Sequence, residues 1–187
     1  FLKTSIADTL GLVIDKYWTV VGQAKLSALG HWAVAFLYSC QIFADFAGYT
    51  LMALGMAKFF GYDLPPNFKG PYIASTIREF WQRWHITLST FLRDYLYVDF
   101  LGGNRKGKLQ TYLNTNLTML LCGLWHGAAF HFIIWGWLHG LALSLERLLG
   151  FYSRKPKLAV TLSWFVWTQL FVVITWVFFR SPDLSFA

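Results

Sequence analysis

Long apolar runs interrupted by short polar stretches organise this chain. Val160 to Phe179, VTLSWFVWTQLFVVITWVFF, is 20 residues without Asp, Glu, Lys or Arg, enough to cross a ~30 Å hydrocarbon core as one helix. Leu26 to Ala44 is likewise uncharged, and Leu26 to Gly61 as a whole predicts two helical pieces or one bent helix, with Asp45 in its middle. Leu113 to Leu145 carries no charge beyond what histidine supplies. As a single helix it would be roughly 50 Å long, too long for an upright span. The glycine in WHGA, Trp125 to Ala128, marks the predicted break.

The polar stretches read differently. Ile77 to Phe100, IREFWQRWHITLSTFLRDYLYVDF, mixes aromatics with Arg78, Glu79, Arg83, Arg93 and Asp94. It is too charged to span a membrane and too aromatic for a free loop, so it predicts helices at the interface or tucked into the protein. Asp63 to Tyr72, DLPPNFKGPY, is a loop by its prolines and glycine. Leu101 to Lys108, LGGNRKGK, is a basic turn, and residues 1–25 form an amphipathic or partly embedded lead-in.

Composition turns these runs into a fold class. Apolar residues make up 56% of the 187 positions and charged residues 13%, where about 25% charge is usual in soluble proteins. Ten Trp and nine Tyr suit membrane–water interfaces. The expectation is one all-α membrane domain over residues 1–187, a polytopic transmembrane helical protein with re-entrant or interfacial helices. The abrupt start at Phe1 and the end just past an apolar run read as a fragment of a larger core.

The net charge of +7 is concentrated. Lys69 to Lys108 holds seven basic and three acidic residues, and Arg147 to Lys157 holds four basic residues and no acid. Basic loops stay in the cytoplasm, so Leu113 to Leu145 should form a hairpin or re-entrant pair whose bend, near His126, lies away from both loops. No basic stripe falls on a soluble module, which argues against nucleic acid as a partner.

The candidate chemistry lies in the histidines. A neutral imidazole buried in an apolar setting can accept a proton from a hydroxyl attacking an ester or thioester. His126 stands at the predicted break, where a cavity can open. His85 sits in RWHITLS beside Arg83. His31, His131 and His139 lie in smooth runs and are expected to pack through hydrogen bonds. Cys40 and Cys122 show no metal or disulfide spacing. Cys122 precedes His126 by four residues, so a nucleophilic pair is conceivable, but packing is the expectation. His126 and His131 are poorly spaced for a metal, and no metal site is expected. GGNRKGKL, Gly102 to Leu109, fits G-x-x-x-x-G-K, but Leu109 replaces the magnesium-binding hydroxyl and no strand precedes it. Asp45, ionisable at membrane depth, is either functional or a structural acceptor.

Several ordered motifs together resemble one family. EFWQRWHITLSTFLRDYLY (Glu79 to Tyr97), LGGNRKGK and LLCGLWHGAAFHFIIWGWLHG closely resemble the membrane-bound O-acyltransferases, nearest to the alginate O-acetyltransferase branch. SIADTL, QIFADFAGY, FFGYDLPPNF and WVFFRSPDLS extend the likeness over nearly the whole chain. Two departures stand out. Thr50, Leu51 and Met52 replace the family's Ser-Asp-Met, and Val98 to Leu101 makes the turn before GGNR one residue longer.

The resemblance implies roles. His126 matches the family's invariant histidine and His85 the second motif histidine, both catalytic. Trp125, Arg93, Arg105 and Lys106 become candidates for binding donor or substrate, the three cations by holding phosphates of a coenzyme-A-like donor; the alternative for these cations is that they only set topology. The implied reaction moves an acetyl group from a cytoplasmic thioester such as acetyl-CoA, with no bound cofactor, across a bacterial inner membrane. The acceptors are hydroxyls of an alginate-like polysaccharide or peptidoglycan, reached through periplasmic partner proteins. D-alanyl transfer to teichoic acid from a carrier-protein thioester is the alternative within the fold. A non-enzymatic channel or scaffold is the alternative outside it.

Overall fold

The computed structural model describes residues 1–20, 27–150 and 158–181. The basic cluster at residues 154–157 and the end of WVFFRSPDLS lie outside them. Among the described residues every regular element is helical, and the chain divides into two compact units, residues 1–67 and 68–187.

In the first unit a π-helical stretch, Leu2–Ala7, runs into α1 (Asp8–Val20), and both pack on α2 (Ala28–Phe59). Ser27 opens α2 by accepting a hydrogen bond from the Gly30 N–H at 3.3 Å, which answers one of the donors a helix start leaves open. α2 is continuous over 32 residues and not two pieces. Within it the Lys3 ammonium lies on the Asp45 carboxylate. Gly48 allows that approach: a Cβ there would stand 2.8 Å from the Lys3 backbone nitrogen.

The second unit begins with the loop before a short 3₁₀ turn, Pro71–Ile73, and α3 (Ile77–Arg83). Thr76 caps α3 by accepting from the Glu79 N–H at 3.0 Å, and Glu79 accepts in turn from the Ser75 N–H at 2.8 Å. Ile77, Phe80, Trp81 and Trp84 form the buried face of α3 at helical spacing. The chain then turns at His85 into α4 (Ile86–Phe91) and a π-helical stretch, Leu92–Phe100.

α5 (Lys108–His126) and α6 (Phe130–Leu148) form the predicted hairpin, broken at Gly127–Ala129. Their backbones touch. A Cβ at Gly123 would lie 2.2 Å from the Phe132 carbonyl oxygen, and one at Gly136 would lie 2.2 Å from the Met119 carbonyl oxygen. Gly136 and Gly140 are four residues apart, the small-residue spacing that lets apolar helices approach closely. Asn114 ties the basic turn to α5, donating to the carbonyls of Leu101 and Gly103, each at 2.9 Å. The segment before GGNRKGK is helical, so no nucleotide-binding strand precedes it.

α7 (Leu158–Arg180) contains Val160–Arg180, the one described helix long and apolar enough to cross a membrane. Thr168 and Gln169 donate to the carbonyls of Ser75 and Ala74 at 3.2 and 2.8 Å, seating α7 against the start of α3. α3 runs antiparallel along α6. The Glu146 carboxylate accepts from the N–H groups of Ile77 and Arg78, where a helix start favours negative charge. One turn further along α3, the Trp81 indole donates to His139 at 3.2 Å.

Candidate active site

His126 is the last residue of α5. Gly127 follows it, and a Cβ there would stand 2.7 Å from the Phe132 ring. With that space open, Phe132 folds back over the turn. The His126 imidazole is then walled by aromatic rings: Trp125 at 4.9 Å, Phe179 at 4.9 Å, Trp135 at 5.3 Å and Phe132 at 6.2 Å between centroids. The ring is half-buried, and its side chain makes no hydrogen bond to any described residue.

His139, from the same apolar run, has the opposite environment. It is 1% exposed, and both ring nitrogens are engaged. An indole N–H only donates, so Nδ1 accepts from Trp81 at 3.2 Å. The proton therefore sits on Nε2 and goes to the Thr175 hydroxyl at 3.1 Å, whose own hydrogen goes to the Val172 carbonyl at 3.0 Å. This chain of bonds joins α3, α6 and α7 and leaves His139 no spare nitrogen. His131 is buried against the Phe132 ring at 4.2 Å.

His85 reaches the site from α3. Its backbone has φ 42° and ψ 57°, the only positive φ outside glycine among the described residues. Such a conformation costs free energy in an L-residue and persists where the surroundings hold it. It turns the chain between α3 and α4 and sets the imidazole 6.2 Å from the Trp125 ring. The Trp125 indole, 62% exposed, is thus an edge-on neighbour of both motif histidines. Burial holds the His85 imidazole below its ordinary pKa of 6.5, so the ring is neutral at pH 7, with a proton on one nitrogen and a lone pair on the other.

A cavity of about 520 Å³ lies within the second unit. α5 lines it with Thr115, Thr118, Met119 and Cys122, one face of a helix. Arg78, Arg93 and Arg147 line it too, as do Trp81 and Ile86. Among the lining residues, Cys122 stands four residues before His126 and Ile86 directly follows His85, while neither histidine lines the cavity itself.

The sequence candidates fall into two groups. His126, His85 and Trp125 come together at the hairpin turn. Arg93 lines the cavity, with its guanidinium on Asp94 at 2.6 and 3.0 Å. Asp94 is held below the usual carboxylate range by that pairing. Arg105 and Lys106 stand exposed on the turn, outside the lining. Arg78 and Arg147 occupy the cavity and were not singled out by sequence, because only the antiparallel seating of α3 on α6 brings them together. The aromatic wall of Trp135, Phe132 and Phe179 was also missed. The spacing of Gly123, Gly127, Gly136 and Gly140 was a signal available for the close hairpin. No group of three metal-ligating side chains occurs among the described residues.

Known proteins are similar to the chain over most of its length. The chain is 48% identical to the probable alginate O-acetylase AlgI of Pseudomonas putida over 99% of its own length and 37% of that protein's. It is 47% identical to the peptidoglycan O-acetyltransferase of Helicobacter pylori, over 100% of the chain and 35% of the relative. It is 34% identical to the teichoic acid D-alanyltransferase of Bacillus subtilis, over 80% of the chain and 39% of the relative. The chain thus spans about a third of the length of these relatives. A family model described as membrane-bound O-acyltransferase matches residues 11–181, and the chain belongs to that family.

Proposed function

We propose that this chain is part of the catalytic core of a multi-pass bacterial inner-membrane O-acyltransferase. It moves an acetyl group from a cytoplasmic thioester such as acetyl-CoA toward hydroxyls of a cell-surface polysaccharide. The observation that carries the reading is the pairing of His126 with His85 across Trp125, in the same unit as a cavity lined by Cys122, Ile86, Arg78, Arg93 and Arg147. The thioester donor occupies this cavity. Its phosphates would meet Arg78, Arg93 and Arg147, since guanidinium forks match phosphate oxygens, and its acyl end would point at the histidines.

The chemistry follows from the two rings. His126 accepts the proton of the acceptor hydroxyl as its oxygen attacks the thioester carbonyl. His85, neutral and protonated on one nitrogen, donates to the carbonyl oxygen as negative charge builds there. The carbon–sulfur bond then breaks, and the proton on His126 passes to the departing thiolate. With the basic loops in the cytoplasm, the hairpin turn lies about one helix length, roughly 28 Å, from the donor's entry. The acyl group is thereby delivered toward the outer face, where periplasmic partners would carry it to an alginate-like polymer or peptidoglycan.

The test uses membranes carrying the full-length protein, radiolabelled acetyl-CoA and cell-envelope acceptor. Label should reach the acceptor with wild type and fail to reach it with His126→Ala, at equal protein abundance. Equal transfer by that variant would remove His126 from the mechanism. The similarity to a teichoic acid D-alanyltransferase sustains one competing donor, a D-alanyl group on a carrier protein. Transfer from that donor and not from acetyl-CoA would favour it.

A further inference from the structure

We infer that Glu146 is a positioning residue for donor binding. By seating α3 on α6 it sets Arg78 beside Arg147 in one cavity, aligned for the phosphates of a thioester. This rests on the donor occupying that cavity as proposed above.

Local groups answer part of the start of α3. The Phe80 N–H reaches the Thr76 carbonyl at 2.9 Å, and the Glu79 N–H reaches the Thr76 hydroxyl at 3.0 Å. The N–H groups of Ile77 and Arg78 go instead to Glu146, 69 and 68 residues away, one to each carboxylate oxygen. Glu146 is 1% exposed and Ile77 0%, so water does not stand in for this contact. A buried carboxylate is costly unless its oxygens are bonded, and here two backbone donors at a helix start satisfy it.

Glu146 and Arg147 are neighbours on α6. The first grips the Arg78 backbone, and the second lines the cavity that Arg78 also lines. α7 holds the residues just before α3, with Thr168 donating to the Ser75 carbonyl at 3.2 Å and Gln169 to the Ala74 carbonyl at 2.8 Å. Of these contacts between helices, the one from Glu146 falls on Arg78 itself. Guanidinium forks bind phosphate in a fixed geometry, so a shift of α3 along α6 weakens donor binding before it alters the chemistry.

The experiment measures KM and kcat for acetyl-CoA in membranes carrying the full-length protein, with the abundance of each variant measured alongside. Glu146→Gln keeps the size of the side chain but turns an amide NH₂ toward one of the two N–H groups. KM should rise about tenfold, the worth of one hydrogen bond to a charged group, while kcat stays within about twofold. Arg78→Ala should also raise KM, and adding Glu146→Gln to it should raise KM no further, because the two act as one unit. An equal rise in both backgrounds would make the effect a general structural one and overturn the inference. So would a fall in kcat with KM unchanged. If Glu146→Gln does not accumulate, Glu146→Asp, with the charge on a shorter arm, should give the same pattern. Failure of both to accumulate would make Glu146 a folding residue and overturn the positioning role. A wild-type KM in Arg78→Ala would sink the donor reading of the cavity. A raised KM there beside an unchanged one in Glu146→Gln would sink the positioning role alone.

Discussion

The middle of α6 and the turn between α5 and α6 come from one apolar run, and the fold treats their histidines in opposite ways. His139 is sealed between three helices with both nitrogens bonded. His126 has aromatic rings around it and no hydrogen bond to a described residue. An imidazole placed in an apolar setting is costly unless its polar atoms are satisfied. At His139 the protein satisfies them itself. At His126 it leaves them for something else, and the break in the hairpin provides the room. The lesson is that polar residues in an apolar stretch are sorted by what already occupies their hydrogen-bonding atoms, not by residue type.

That contrast can be broken experimentally, most strongly at the histidine proposed to react. His126→Ala should reduce acyl transfer about a thousandfold, equivalent to about 4 kcal/mol of barrier, while the protein accumulates normally. Label transfer and immunoblotting of the same membranes check both halves. Gly136→Ala attacks the scaffold shared by both histidines. Its Cβ meets the Met119 carbonyl oxygen, so α5 and α6 must part, at a cost of about 3 kcal/mol. Purified protein in detergent should melt well below wild type. His139→Leu should cost about 2 kcal/mol, because the Trp81 N–H and Thr175 lose their partner in a dry interior. Here melting temperature should fall while activity per folded molecule stays close to wild type. Preserved stability and lost turnover would place His139 with His126 instead.

The smallest effect concerns His85. Its folded pKa lies below the ordinary 6.5 because burial disfavours the charged ring. The unfolded chain therefore binds a proton that the folded one refuses, and stability must fall as pH drops below about 6.5. His85→Gln should flatten this part of the stability–pH profile. An unchanged profile would mean that the imidazole is not buried in the working protein.

Much of the fold was legible because it follows from local signals. The uncharged run at 160–179, the break at WHGA and the helices within 77–100 all follow from apolar spacing and glycine placement. The partner of Asp45 within α2 was not legible, since it is Lys3, far away in sequence. The cavity's arginines were illegible for the same reason. Arg78 and Arg147 meet only because Glu146 caps α3 and fixes its direction against α6. The basic turn advertised Arg105 and Lys106 by density of charge, but the glycines that shape it hold those side chains at the surface. Motif resemblance marked His85 and His126, and the geometry adds that Trp125 stands between them.

The pair between Lys3 and Asp45 has a consequence for biosynthesis. Translation proceeds from the N-terminus, so the lysine is made 42 residues before the acid it neutralises. The counter-ion is already outside the ribosome when the apolar helix carrying Asp45 emerges. The order of the sequence thus lets that carboxylate settle into α2 with its partner already made.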